Sequence, residues 1–200
     1  RKVALSRMDE FFGAIAEKMS LYLPADTPAG AEFRKWEPGM QLSGALNTVR
    51  SAKDFFFPQT ENLMDFKVEG KKIEIVDTRA ETENIVVFGV RACDARSLRV
   101  LDNVFLASPV DTYYENRREH GVVMSMACTR PAETCFCGTF DIDAADPDGD
   151  VACYMMADAV CMSAKTEQGE ALLKMLEGVT EETDGAAVEE QKALIRERMR

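Results

Sequence analysis

Two apolar runs, each followed by a cysteine, constrain the fold of this chain more than any other feature. Ile85-Val86-Val87-Phe88-Gly89-Val90 and Gly121-Val122-Val123-Met124-Ser125-Met126-Ala127 are short and almost wholly apolar, the pattern of strands buried on both faces of a sheet. The first leads into Cys93 and the second into Cys128. Leu98, Leu101, Val104 and Phe105 then recur at helical steps, with Asp94 as the expected N-cap. Cys93 therefore falls at a strand-to-helix turn, where open α/β sheets present ligands. Were the two strands parallel neighbours, both thiols would meet at one edge of the sheet. The expected class is α/β (or α+β): a small mixed sheet with partly parallel buried strands, flanking helices and a C-terminal connector helix.

The remaining elements follow from periodicity and turn chemistry. Leu5, Met8, Phe11, Phe12, Ile15 and Met19 are spaced for a helix over 4–20, ended by Pro24. Pro24, Pro28, Gly30, Pro38 and Gly44 punctuate 22–50, which reads as irregular. Phe55-Phe56-Phe57-Pro58 reads as an extended segment wedged into the core. Lys72–Asp77 alternates as a half-buried strand after a Glu69-Gly70 turn. Tyr113, Tyr114 and Arg117 suit a short helix, and Val151–Lys165 a hairpin turning near Asp158. Cys153 and Cys161 then lie on its facing strands as small buried residues. A helix begins at Gly169–Leu176, and Ala186–Met199 is a charged connector. The division this gives is an N-terminal helix and irregular segment over 1–50, an α/β cysteine-motif domain over 51–180, and a connector helix over 181–200.

Composition narrows the function. A 46% hydrophobic content suffices for a full core, and the eleven methionines suit an adaptable core or interface. A net charge of -11 argues against binding nucleic acid or an anionic membrane face. No secretory leader or membrane-spanning run is visible, so a soluble, cytoplasmic protein is expected, although the initiator Met is missing. In a reducing compartment, clustered cysteines point to metal or redox work more than to structural disulfides. Cys135 and Cys137, one residue apart, are too close for an easy disulfide but not for sharing a metal site.

Four of the six cysteines, Cys93, Cys128, Cys135 and Cys137, supply the number of thiolates that completes the shell of a 4Fe-4S cluster. Their spacing matches neither the bacterial nor the plant ferredoxin pattern. A four-cysteine zinc site is the metallic alternative. A docking domain with or without zinc, and a thiol sensor built on Cys135 or Cys137, are the others. Arg91, Arg96 and Arg99 read first as solvated helix arginines, with offsetting the charge of ligated thiolates as the alternative. No catalytic residue is assigned: His120 reads as a surface-loop histidine with no nucleophile to pair with. Phosphate- and dinucleotide-binding glycine loops are absent. Asp141, Asp143, Asp146, Asp148 and Asp150 fail the calcium-loop spacing and read as a solvated turn.

Several separate motifs occur in an order that resembles a known family. Phe-Phe-Phe-Pro-Gln-Thr-Glu at 55–61, Phe-Gly-Val-Arg-Ala-Cys-Asp-Ala-Arg at 88–96, Asp111-Thr112-Tyr113-Tyr114 with Arg117-Arg118, and Cys128 through Cys137 resemble the N-terminal region of iron-sulfur β subunits of cytoplasmic sulfhydrogenase and anaerobic sulfite reductase complexes. The resemblance covers roughly residues 50–180. It implies a non-catalytic subunit that passes electrons between a flavin- and nicotinamide-binding partner and a catalytic subunit. It also implies ferredoxin-type cysteine runs for two 4Fe-4S clusters near the C-terminus. This chain has none and looks like the front domain of a longer subunit, its connector helix leading towards that module. A cluster on the four named cysteines is inferred from their chemistry, and the resemblance assigns no role to Cys153 or Cys161.

Overall fold

The computed structural model of the chain describes residues 1–199. Nine strands and five α-helices are present among them: β1 Lys2–Ala4, α1 Met8–Ala16, β2 Ser20–Thr27, β3 Gly30–Lys35, β4 Met64–Glu69, β5 Lys72–Asp77, β6 Ile85–Arg91, α2 Ala92–Phe105, α3 Thr112–His120, β7 Gly121–Met126, β8 Val151–Met155, β9 Ala159–Ala164, α4 Glu167–Met175 and α5 Ala186–Arg198. Seven strands form one mixed sheet in the order β1-β9-β8-β7-β6-β2-β3. Its centre, β2-β6-β7-β8, is parallel, and antiparallel partners close both sides. The class expected from the sequence is the one observed.

Helices cover both faces because the central strands are apolar on both. Val86 and Phe88 of β6, with Met124 of β7 and Cys153 of β8, pack against Phe11, Phe12 and Ile15 of α1 and Leu172 and Leu173 of α4. On the opposite face Val87, Val90 and Val123 meet Ala95 and Leu98 of α2, Tyr114 of α3 and the buried Phe56. A bulge at Gly89 permits this division. The register to β7 slips between Phe88 and Val90, so Val90 shares a face with Val87 instead of alternating with it. Gly89 has φ +83°, and a Cβ there would come 3.1 Å from the Pro24 ring, so the bulge needs a residue without a side chain.

Several elements differ from the sequence reading. Residues 20–35 form the antiparallel pair β2-β3 and not an irregular stretch. Pro24 is tolerated because β2 pairs with β6 only over Ser20–Tyr22, so no ladder donor is lost beyond that point. The helix expected over 4–20 is confined to Met8–Ala16 after a 3₁₀ turn over Leu5–Arg7. Residues Ala52–Phe55 make a 3₁₀ turn instead of an extended segment, with Phe56 buried and Phe57 exposed. Asp94 does not cap α2. It lies in the first turn, accepts from Ser51 Oγ at 2.7 Å, and the capping position belongs to Arg91 without a side-chain bond. His120 ends α3 rather than a loop, its ring nitrogen 2.7 Å from the Asn116 carbonyl. β5 exists as expected but is exposed, not half-buried, and pairs with β4 alone.

The acidic stretch before β8 is a solvated turn only at Asp141, which is exposed; its other four aspartates are engaged. Asp143 pairs with Arg196 of α5 at 2.7 Å. Asp146 pairs with Lys165 at 2.9 Å and accepts from Tyr154. Asp148 holds Arg96 and Arg99 of α2 at 2.5 and 3.0 Å. Asp150 is buried and accepts from the Val123 amide and the Thr166 hydroxyl, which caps α4. α5 is mostly exposed, as a connector would be, yet Ile195 is buried against Ala127, Cys128, Ala145, Ala152 and Tyr154. No helix among the described residues is long and apolar enough to cross a membrane.

Candidate functional site

The parallel pairing of β6 and β7 fixes the first two thiols. Arg91 stands opposite Met126 at the C-terminal ends of the two strands, and each cysteine follows two residues later. Cys93 enters the first turn of α2, while Cys128 continues from β7 and is held by its amide to the Ala144 carbonyl at 3.0 Å. Cys135 and Cys137 arrive from the loop between β7 and β8. That loop is folded on itself by bonds from the Cys135 amide to the Ala132 carbonyl and from the Ile142 amide to the Cys137 carbonyl, both 3.0 Å.

All four thiols line one cavity of about 430 Å³. Its other walls include Leu46 and Asn47, Pro131, Ile142, and Ile195 and Met199 from α5. Cys153 and Cys161 lie elsewhere, buried in the sheet on opposite faces, since Cys153 faces Met162 and Tyr154 faces Cys161 across β8-β9. Among the described residues, no group of three or more His, Cys, Asp or Glu is disposed to hold a metal ion. The four thiols thus share a cavity without forming a compact set around one point.

The electrostatics follow from burial first and from the neighbouring groups second. Burial, then the charges of Asp94, Cys137 and Cys128, push the Cys93 thiol up to about 11. Burial also raises Cys137, with Cys128 and Cys135 adding to it. In the absence of a cation these two thiols are therefore protonated near neutral pH. The Cys135 sulfur receives the Ala132 amide at 3.2 Å.

Of the three arginines weighed as charge partners, one reaches the cavity. Arg91 lines the cavity and donates to the Leu46 and Ala45 carbonyls at 2.7 and 3.0 Å, fixing the segment that forms one wall. Arg96 and Arg99 do not line it, because Asp148 engages both. Arg130 and Arg196 line it in their place. Arg130 has no ion-pair partner among the described residues, whereas Arg196 is held by Asp143. Sequence reasoning missed both. Arg130 sits two residues from Cys128 and could have been noticed, but Arg196 reaches the cavity only through the docking of α5.

Sequence comparison points in the same direction. The chain is 29% identical over 150 residues to sulfhydrogenase 2 subunit beta of Pyrococcus furiosus. The alignment covers 74% of this chain and 43% of that protein, so the chain spans less than half the length of the curated relative it matches. No family model matches the chain. No solved structure matches it either.

Proposed function

We propose that this chain is a domain of an iron-sulfur electron-transfer subunit in an anaerobic oxidoreductase complex of the hydrogenase or sulfite reductase type. The observation that carries the reading is the convergence of Cys93, Cys128, Cys135 and Cys137, from three separate segments, on one cavity at the C-terminal ends of parallel strands. The similarity to a sulfhydrogenase β subunit supports it.

Four thiolates serve one zinc, each at about 2.3 Å, or one 4Fe-4S cluster, and the similarity to a sulfhydrogenase β subunit favours the cluster. A 4Fe-4S cluster, with one thiolate per iron, supplies one-electron storage when bound. The protein's part is to hold and tune. Cys93 and Cys128 are fixed by strand ends, and the 130–137 loop brings Cys135 and Cys137 to meet them. The Ala132 amide lowers the electron density on the Cys135 sulfur. Arg91 and Arg130 offset negative charge, and Ile142, Ile195 and Met199 keep water from one side. No residue here makes or breaks a substrate bond. The role is relay and docking between a flavin- or nicotinamide-binding partner and a catalytic subunit in the cytoplasm.

The test is iron, sulfide and zinc content with a visible spectrum on anaerobically purified protein, wild type against Cys93→Ser and Cys135→Ser. About four irons per chain with broad visible absorbance, lost in both variants, is expected. Colourless protein with about one zinc would establish the rival reading of a structural docking domain.

A further inference from the structure

The β4-β5 hairpin stands apart from the sheet and is exposed at every strand residue but Val76. Its register gathers most of the apolar side chains on one face. Phe66 lies opposite Ile75 and Val68 opposite Ile73, with Met64 next in line, while Lys67 faces Glu74 and Glu69 faces Lys72 on the other side. Directly opposed residues share a face, so one face is apolar except for Asp77, which stands opposite Met64 at its end, and the other is charged except for Val76, opposite Asp65. Met64, Phe66, Val68, Ile73 and Ile75 are 44–65% exposed.

Such a face is out of place on an isolated arm. A two-stranded sheet is marginal in water unless its apolar side is covered. With side chains of this size the five leave roughly 500 Å² of contiguous apolar surface, near the upper end for a monomer. We propose that the cover is a second copy of this chain, the two hairpins stacking apolar face to apolar face about a two-fold axis.

Area favours that occupant, and the local charge of the arm does not oppose it. A flat apolar patch is self-complementary, which is what an isologous contact requires. Two such faces bury roughly 1,000 Å² together, about the minimum for a stable interface. The chain as a whole carries -11, which opposes self-association, but the arm is locally neutral. Asp65, Glu69, Glu74 and Asp77 are balanced by Lys67, Lys71, Lys72 and Arg79, and Arg79 is paired to Asp77 at 2.6 Å. The charged face turns outward and the lysines along the arm discourage edge-to-edge growth, so association stops at two.

Sedimentation velocity across about 1–100 μM, a span that brackets interfaces of this size, tests the proposal independently of any cofactor. Wild type is expected to move from monomer to dimer. The apolar-face variant Phe66→Lys with Ile75→Lys is expected to weaken the dimer at least about thirty-fold. The charged-face variant Lys67→Ala with Glu74→Ala is expected to leave it unchanged. Far-UV circular dichroism confirms that the variants keep the main fold, to which the arm contributes no core residue. A wild type that stays monomeric at the highest concentration, or a dimer that survives the apolar-face variant, overturns the proposal and reserves this surface for a different polypeptide.

Discussion

Ile195→Ala probes the link between α5 and the cysteine cavity. Ile195 is 1% exposed, and it is the one buried residue of α5 among those described. It also lines the cavity. The substitution removes three carbons at about 0.8 kcal/mol each, offset by a few tenths because Ala is the better helix former, leaving about 2 kcal/mol. The neighbouring ion pair cannot make up the loss. The Arg196–Asp143 pair has both side chains more than 40% exposed, and pairs of that kind contribute little. The penalty therefore falls on the docking of α5 rather than on the sheet. Hydrogen exchange is the assay: α5 amides are expected to lose roughly thirty-fold protection, while β6 and β7 amides do not change. Because Ile195 and Met199 wall the cavity, modification of Cys128, only 8% exposed in the intact protein, should accelerate in the metal-free variant. Equal protection of α5 in both proteins, or a loss spread evenly over the sheet, would refute the assignment of Ile195 as the anchor.

Other consequences are equally direct. Gly89→Ala forces a Cβ into a positive-φ position against the Pro24 ring and should cost about 1–3 kcal/mol in urea denaturation. A cost below a few tenths would mean that the bulge relaxes freely. Burial opposes ionisation of Asp148, but hydrogen bonds from Arg96 and Arg99 outweigh it and hold the carboxyl below its ordinary value. Asp148→Asn should thus be less stable by about 1 kcal/mol at neutral pH. Because a lowered folded-state value stabilises above the unfolded value and is lost as pH falls through the folded one, the difference should shrink steadily below about pH 4, as melting temperatures across that range would reveal. In metal-free protein, alkylation of Cys93 should keep rising with pH without a plateau until about 11, followed by mass spectrometry of its peptide. A plateau near pH 8 would contradict the burial that the structure gives it.

The parts of the site legible in the sequence are those dictated by local chemistry. β6 and β7 announce themselves as continuous apolar runs, which fixes Cys93 and Cys128 at strand ends. The hairpin of β8 and β9 is visible from its alternation, although the register that sends Cys153 and Cys161 to opposite faces is not. What escaped was decided by tertiary context. Pro24 reads as a terminator until one knows that the β2-β6 ladder has already stopped there. The five aspartates read as solvated because nothing local tells Asp148 that two α2 arginines will reach it. For the same reason nothing local shows that Arg196 reaches the cavity while Arg96 and Arg99 turn to Asp148. β4 was missed because its charges and its apolar residues alternate on an arm that no core explains.

The stretch from Asp143 to Asp150 has a mechanical meaning. Within eight residues the chain fastens to α5, to Lys165 beyond β9, to α2, and to both β7 and the cap of α4. Elements distant in sequence are pinned by one short span of backbone, in the way a single rivet joins several plates. A protease nick inside it would leave the sheet ladders intact while severing the covalent path between those fastenings. Such a cut should slacken four elements together, and the wall of the cysteine cavity with them, in one step rather than four.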